Sequence, residues 1–286
     1  MLRPVHKVAR ALQIRLKRLV GGGTGGDIGV KGHRGQINHL DHAARLARAL
    51  DIGAGKGRTQ AAGARVAEIT FEVELAGSGS AGTAPPWGKL LRACGMAETL
   101  FEGDRVEYTP ITDEAESVAI RYAIDGMRYV SRGARGNVQF MMNAYQRPMM
   151  RFSFVGFDTT SSTTSVTNGN FTAWQRPLVI TDGNSGDIRL GASYAAGVVS
   201  GGTVLASEGL EIDLGNRVEH IKLLGGEAVD IVDRETTGRM AVALSAEQEV
   251  AWRADINANV LTALGFNIGN SAGNRISIHA PAIQRV

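Results

Sequence analysis

The chain has little of several features that mark common protein classes. It contains one cysteine in 286 residues, which excludes an internal disulfide and favours folding in a reducing compartment. No apolar run approaches the ~20 residues that a membrane-spanning helix needs. The start also lacks the short apolar core and small-residue cleavage site of a signal peptide. The sequence therefore predicts neither a disulfide-rich secreted protein nor a membrane protein.

The usual motifs of catalysis and metal binding are also missing. There is no G-x-S-x-G elbow, no P-loop, no paired-histidine motif and no C-x-x-C. His220 and His279 stand alone in predicted strands or turns, which is typical of structural histidines. The glycine run at 21–26 matches G-x-G-x-x-G, but the residues after it do not resemble the helix start of a dinucleotide site. We therefore predict no enzymatic activity, no cofactor and no metal site.

Charge is distributed very unevenly along the chain. Residues 1–60 contain 12 Lys and Arg against 3 Asp, with no Glu, Phe, Trp or Tyr. The remaining residues contain 19 basic and 25 acidic side chains, so the larger part of the chain is acidic. The overall basic balance is thus no argument for nucleic-acid binding. The segment 1–60 is either a genuine basic arm or a misassigned start, and the abrupt change in composition favours the second.

A strand, a glycine-rich loop and a helix follow one another after this segment. Residues 68–75 alternate strictly between apolar side chains and polar ones, most of them carboxylates, which predicts a half-buried strand. A flexible loop at 76–84 follows. Apolar residues then recur with helical spacing from Trp87 to Cys94, after two prolines that suit a first turn, and Gly95 is a natural C-terminal stop.

This block resembles the tail tube, or major tail, proteins of phages with long non-contractile tails. The run FEVELAGSGSAGTAPPWGKLLRACG at 71–95 is the specific part of the resemblance. Shorter similarities follow at VEYTP (106–110), GARGNV (133–138), EIDLGN (211–216), DRETTG (233–238) and AGNR (272–275). They extend the resemblance over about two thirds of the chain.

The predicted fold is mainly β with a few short helices, arranged as tail-tube-type β-sandwich or barrel modules. Further strands are expected at 118–130 around an Asp125-Gly126 hairpin, and at 138–142, 149–155, 178–182, 187–190, 209–214, 240–244, 264–268 and 275–279. Ser245 and Gln248 form a capping box before a helix at 247–259. The order of elements suggests two modules, at 61–157 and 171–286, joined by a polar linker at 158–170. The second module is expected to be truncated at its C-terminal end, and the N-terminal segment irregular.

The resemblance also suggests which residues act. In tail tube proteins, strands of neighbouring subunits close into a continuous barrel around a lumen, where carboxylates would repel DNA phosphates. The candidate lumen-facing residues are Glu72, Glu74, Glu211 and Asp213. The alternative is that these carboxylates face the outer solvent or pair with arginines of neighbouring subunits. The glycine-rich loop, with Gly77, Ser78, Gly79, Ser80 and Gly82, is either an inter-ring contact or a plain connector.

The resemblance implies a virion structural protein that assembles into stacked rings, the conduit for DNA ejection. Its partners would be other copies of itself and the tape measure and tail terminator proteins. DNA would pass without specific binding, and no membrane contact is expected. A ring would need three chains if each holds two modules, and six otherwise. Assembly is expected in the host bacterial cytoplasm. The alternative is a secreted or surface β-sandwich that binds a ligand such as carbohydrate, but only 6% of residues are aromatic.

Overall fold

The protein is mainly antiparallel β-structure with two short helices, as its sequence predicts. A computed structural model describes residues 8–13, 27–28, 37–38, 66–124, 127–158, 161–163 and 171–286. The strands are β1 (Val8–Gln13), β2 (Asp27–Ile28), β3 (Ile37–Asn38), β4 (Val66–Glu74), β5 (Met96–Phe101), β6 (Arg105–Pro110), β7 (Val118–Ile124), β8 (Met127–Asn143), β9 (Met149–Asp158), β10 (Ser162–Thr163), β11 (Ile188–Leu190), β12 (Ser193–Ala195), β13 (Val198–Ser200), β14 (Thr203–Asp213), β15 (Asn216–Leu223), β16 (Gly226–Arg234), β17 (Thr237–Ala243), β18 (Leu261–Ile268) and β19 (Ile276–Arg285). The helices are α1 (Gly88–Ala93) and α2 (Ala246–Asn257).

The strand, loop and helix of the most specific sequence block form as predicted. In β4 every second residue from Ile69 to Val73 is buried, and the residues between them are half-buried. Helix α1 begins later than predicted, at Gly88, because the two prolines lie in the turn before it. Gly95 has a φ of 74° and ends the helix in the left-handed region that glycine adopts at low cost. The Trp87 indole N–H donates a hydrogen bond to the Ala76 carbonyl oxygen at 2.8 Å, fixing the helix beside β4.

One large sheet joins strands from both halves of the chain. Its central order is β4, β9, β8, β14 and β17, with every neighbouring pair antiparallel. The long strand β8 pairs with β7 through its first part and with β14 through its last part. The two predicted modules therefore share one hydrogen-bonded sheet, in which β8 and β14 are the adjoining strands.

Strands of the second half form a closed circuit together with β1, which lies near the N-terminus. Starting from β14, successive strands pair in the order β14, β17, β1, β19, β18 and β11. Strand β11 then pairs with the first residues of β14 and closes the circuit. Such closure leaves no free edge within the circuit. Large side chains from both halves form one core, including Phe152, Phe154, Leu210, Leu264 and Ile283.

Helix α2 follows the capping-box prediction closely. The Ser245 hydroxyl accepts a hydrogen bond from the Gln248 backbone N–H at 3.3 Å, and the Gln248 side chain accepts one from the Ser245 N–H at 2.8 Å. These two bonds satisfy donors that a helix start leaves free. Trp252 is the buried residue of the helix, whereas Val260 lies beyond its end and is exposed.

Several predicted elements are corrected by the structure. The strand expected at 178–182 is wrong: this segment is irregular, although Ile180 is buried and its N–H bonds to the Gln146 carbonyl oxygen at 3.0 Å. Strand β8 is a single strand where a ribbon and a separate strand were predicted, with an irregularity near Gly133. The hairpins β5–β6, β12–β13 and β15–β16 were not predicted.

The ends of the chain differ from expectation in detail. No strand is predicted in residues 1–60, but β1 pairs with β17 and β19, β2 with β7, and β3 with β4. The predicted truncation of the second module stays a prediction, and β19 there continues to Arg285, beyond the predicted strand. The glycine run at 21–26, the Asp125-Gly126 turn and most of the linker 158–170 lie outside the described residues. The division into modules also stays a prediction.

Candidate functional site

A half-buried polar face runs across the five central strands of the sheet. Directly opposed residues of antiparallel strands point to the same side of a sheet, so the register defines the rows of this face. One row crosses β4, β9, β8, β14 and β17 through Glu72, Arg151, Gln139, Asp213 and Thr237. The adjacent row contains Glu74, Met149, Met141, Glu211 and Arg239. We call these ten residues the polar face.

The opposite side of the same strands forms the core. Phe71, Phe152, Val138 and Ile212 alternate with the residues of the polar face and are buried. The ring centroids of Phe71 and Phe152 are 5.7 Å apart. Burial of this apolar side fixes the register, because a slip of one residue would move every carboxylate into the core. The polar face therefore has a defined composition.

The four candidate carboxylates all belong to the polar face, although they are far apart in the sequence. Glu72 and Glu74 each form an ion pair with an arginine of the first half. The Glu72 Oε1 atom accepts hydrogen bonds from the Arg151 Nε and Nη2 atoms at 2.9 and 2.6 Å. The Glu74 Oε1 atom lies 3.0 Å from the Arg147 Nη1 atom. Both pairs are partly exposed, so each is expected to add little to stability.

Glu211 and Asp213 have amide partners. The Glu211 Oε1 atom accepts a hydrogen bond from the Asn143 Nδ2 atom at 3.3 Å, and Arg239 lies opposite Glu211 on β17. The Asp213 Oδ1 atom accepts hydrogen bonds from the Asn137 Nδ2 atom at 2.6 Å and the Gly215 N–H at 2.8 Å. All four carboxylates thus have partners within the chain. None of these partners is predicted from the sequence, although Arg151 occupies a polar position in the predicted strand 149–155.

A second polar network lies behind the end of α1. The Asn216 Nδ2 atom donates to the Cys94 and Gly136 carbonyl oxygens at 2.6 and 3.0 Å, and the Asn216 N–H donates to the Asn137 Oδ1 atom at 3.0 Å. The Arg234 Nε atom donates to the Asn216 Oδ1 atom at 2.6 Å. Residues from four of the runs that resemble the family meet at this place: LLRACG, GARGNV, EIDLGN and DRETTG. Their resemblance to the family therefore corresponds to one contact region.

The glycine-rich loop is held by another part of the same chain. The Gly79 N–H donates to the Gly273 carbonyl oxygen at 2.9 Å, and the Gly77 N–H donates to the Asn274 Oδ1 atom at 3.2 Å. The Ser78 hydroxyl donates to the Ser80 carbonyl oxygen at 2.7 Å. Gly82 approaches the turn between β5 and β6. Gly79, Ser80 and Thr83 are exposed, so these residues of the loop are open to a partner.

His220, His279 and Cys94 each pack against other parts of the fold. His220 packs edge-on against Phe157 with ring centroids 5.4 Å apart, and a His279 ring nitrogen lies 3.2 Å from the Ala192 carbonyl oxygen. Burial raises the pKa of the Cys94 thiol far above its usual range. Within the described part of the chain there is no group of three or more potential metal ligands. No described helix has the length and apolar character needed to cross a membrane.

Comparison with known families agrees with the resemblance seen in the sequence. No curated protein sequence matches the chain. A family model described as "Phage tail tube protein" matches residues 13–285, which is almost the whole chain and includes most of the segment 1–60. That the segment 1–60 is a misassigned start stays a prediction. The mainly antiparallel β-fold and the matched range together show that this chain belongs to the phage tail tube protein family, whose members are structural proteins of the virion tail.

Proposed function

We propose that copies of this chain form rings that stack into a tail tube, and that the polar face lines the lumen through which DNA leaves the virion. The observation that carries the proposal is the continuity of this face across five strands from both halves of the chain. A tube wall needs one side against its own core and one side against water, and these strands have both.

The pairing of charges suits a surface along which DNA must slide. Free Lys and Arg side chains bind phosphates and release counterions, which is the main source of non-specific affinity for DNA. On the polar face, Arg151 is held by Glu72, and nearby Arg147 is held by Glu74. A passing phosphate would have to displace a carboxylate to reach either guanidinium. With these two arginines held and Arg239 opposite Glu211, the face is expected to repel DNA weakly and to bind it poorly.

Assembly would join the sheets of neighbouring copies. Neighbouring copies close their sheets edge to edge, which removes the exposed strand edges that would otherwise aggregate. A ring contains three chains if each chain supplies two modules, and six if it supplies one. Tubes form in the host bacterial cytoplasm, with the tape measure and tail terminator proteins as further partners. Mass measurement of isolated rings distinguishes the two stoichiometries.

The first experiment is negative-stain electron microscopy of the purified full chain, with the double variant Glu72→Gln and Glu74→Gln beside it. Wild-type protein is expected to form hollow tubes. The double variant is expected to form the same tubes but to retain double-stranded DNA at low salt, because Arg151 and Arg147 are freed. Glu102→Gln is the matched control, because Glu102 is exposed in the turn between β5 and β6. Absence of tubes from the wild type, or equal DNA retention by both variants, would refute the proposal.

A further inference from the structure

The short hairpin of β12 and β13 lies against β18 and β19 without joining their sheet. Among the described strands, β12 and β13 pair only with each other, and they pack on β18 and β19 through side chains. We call residues 192–200 the strap. An isolated two-stranded hairpin is marginally stable at best in water. The strap therefore depends on its contacts with the rest of the chain.

Three side chains of β18 and β19 lie within hydrogen-bond distance of carbonyl oxygens in the strap. The pairs are Asn267 with Val199 at 3.2 Å, Ser277 with Gly197 at 3.4 Å, and His279 with Ala192 at 3.2 Å. The Val199 side chain packs over Gly265, where a Cβ atom would lie 2.3 Å from the Val199 Cγ1 atom. Ala192 and Val199 are the buried residues of the strap. Little apolar burial therefore holds the strap in place.

A single carboxylate joins the strap to the hairpin of β5 and β6 in the first half of the chain. The Glu107 Oε1 atom accepts hydrogen bonds from the Tyr194 hydroxyl and from the Arg105 Nε atom, both at 2.6 Å. The turn of the strap also packs on this arginine, because a Cβ atom at Gly197 would lie 2.8 Å from the Arg105 Cδ atom. Hydrogen bonds to an ionised group are roughly twice as strong as neutral ones. The charge of Glu107 therefore contributes directly to the closed position of the strap.

The groups around Glu107 decide at which pH this charge is present. Arg105 also forms an ion pair with Asp104, and the His279 ring stacks on the Tyr194 ring with centroids 5.8 Å apart. Hydrogen bonds from Tyr194 and Arg105 lower the pKa of Glu107 below its ordinary 4.5. Glu107 is therefore ionised at neutral pH. The stabilisation that its charge provides is lost as the pH falls through the lowered pKa.

We propose that the strap is an acid-released element, which ionised Glu107 holds closed and which lifts from β18 and β19 when Glu107 is protonated. Protonation removes the negative charge that the Arg105 guanidinium and the Tyr194 hydroxyl bind. The remaining contacts bury little apolar surface, and the lifted hairpin does not keep its own pairing in water. Lifting frees the three side chains of β18 and β19 that contact strap carbonyl oxygens. Acid thus exposes a hydrogen-bonding surface that the closed strap covers.

Release of the strap is tested by hydrogen–deuterium exchange of the full chain between about pH 6 and about pH 3.5, followed by mass spectrometry. Each rate is corrected for the chemical exchange rate at the same pH. Exchange of residues 192–200 is expected to accelerate about tenfold on acidification, because hydrogen bonds to a charged group contribute about that factor. Strands β8 and β9 are the internal reference and should keep their protection. Unchanged exchange in the strap, or an equal acceleration in β8 and β9, would overturn the proposal.

The role of Glu107 is tested by Glu107→Gln, which imitates the protonated side chain. Its strap is expected to exchange about tenfold faster than the wild-type strap at about pH 6, and to respond little to further acidification. Glu249→Gln is the matched control, because Glu249 also pairs with an arginine at 2.7 Å but lies on α2. Wild-type protection of the strap in Glu107→Gln, or the full pH response in that variant, would show that another group holds the strap. If Glu107→Gln fails to fold, Tyr194→Phe replaces it, and slow strap exchange in that variant at about pH 6 would contradict the proposal.

Discussion

The glycine-rich loop allows a sharp test of how closely its backbone is packed. A Cβ atom at Gly77 would lie 2.2 Å from the Gly273 carbonyl oxygen and 2.8 Å from the Asn274 Cα atom. Both contacts are shorter than real Cβ contacts allow, and both partners are backbone atoms that cannot rotate away. Gly77→Ala therefore forces the loop and the turn near Gly273 apart by about 1 Å.

The magnitude follows from what this separation breaks. Forcing extra atoms into a packed region costs about 1–3 kcal/mol. Weakening the hydrogen bonds from Gly77 to Asn274 and from Gly79 to Gly273 adds about 1 kcal/mol each. The smaller conformational freedom of alanine in the unfolded chain returns about 0.4–1 kcal/mol. The free energy of unfolding should thus fall by about 2–4.6 kcal/mol, which lowers the thermal midpoint by roughly 5–18 °C.

Gly183→Ala is the control for this measurement. No atom lies within 4 Å of the position that a Cβ atom would take at Gly183, and its backbone is outside the left-handed region. Its stability is therefore expected to change by no more than about 0.5 kcal/mol. Both variants are unfolded by heat and by urea and followed by circular dichroism. Equal midpoints for the two would refute the close approach of Gly77 to Gly273.

Three further predictions concern helix capping, a carboxyl pKa and the cysteine. Ser245→Ala removes the capping box and should lower the free energy of unfolding by about 1 kcal/mol, measured by urea denaturation. The Tyr194 hydroxyl donates to a Glu107 carboxylate oxygen at 2.6 Å and, with Arg105, lowers the Glu107 pKa below its ordinary 4.5. The resulting stabilisation of the folded protein is complete at pH values above the ordinary Glu107 pKa and is lost as the pH falls through the lowered pKa. Tyr194→Phe should therefore lower the free energy of unfolding at pH 7 but not in strong acid. Native protein at pH 8 should react with iodoacetamide only as fast as it unfolds, because burial raises the pKa of Cys94; rapid labelling of folded protein would contradict this.

Local patterns in the sequence predict local structure well here. The alternation in β4, the Ser245 capping box and the left-handed Gly95 each depend on neighbours within a few residues, and each is confirmed. The hairpin of β7 and β8 is confirmed by the pairing of Ile124 with Met127. These features can be predicted from the sequence because the residues that cause each one lie within a few positions of it.

Other features depend on partners that are distant in the sequence. Ile180 is buried like a strand residue, but its N–H bonds to a turn more than thirty residues earlier in the chain, so no ladder forms. Gly136 looks like a strand breaker, yet it accommodates the Phe154 ring, 2.6 Å from where its Cβ would lie. The arrangement of the four carboxylates on one face requires the pairing of β8 with β14, which no local pattern specifies. Their alignment in one tube lumen stays a prediction.

The closed circuit of strands has a consequence for how the chain folds. Strand β1 pairs with β17 and β19, so residues near 10 must meet residues near 240 and 285 before the circuit is complete. Contacts so distant along the chain are slow to form, because the entropy of closing the loop is lost before the contacts stabilise it. During synthesis on the ribosome, β1 and β11 emerge before their partners β19 and β18, so one edge of each waits unpaired. The circuit therefore cannot close before β18 and β19 have been made, and until then its open edges are exposed to aggregation or to chaperones.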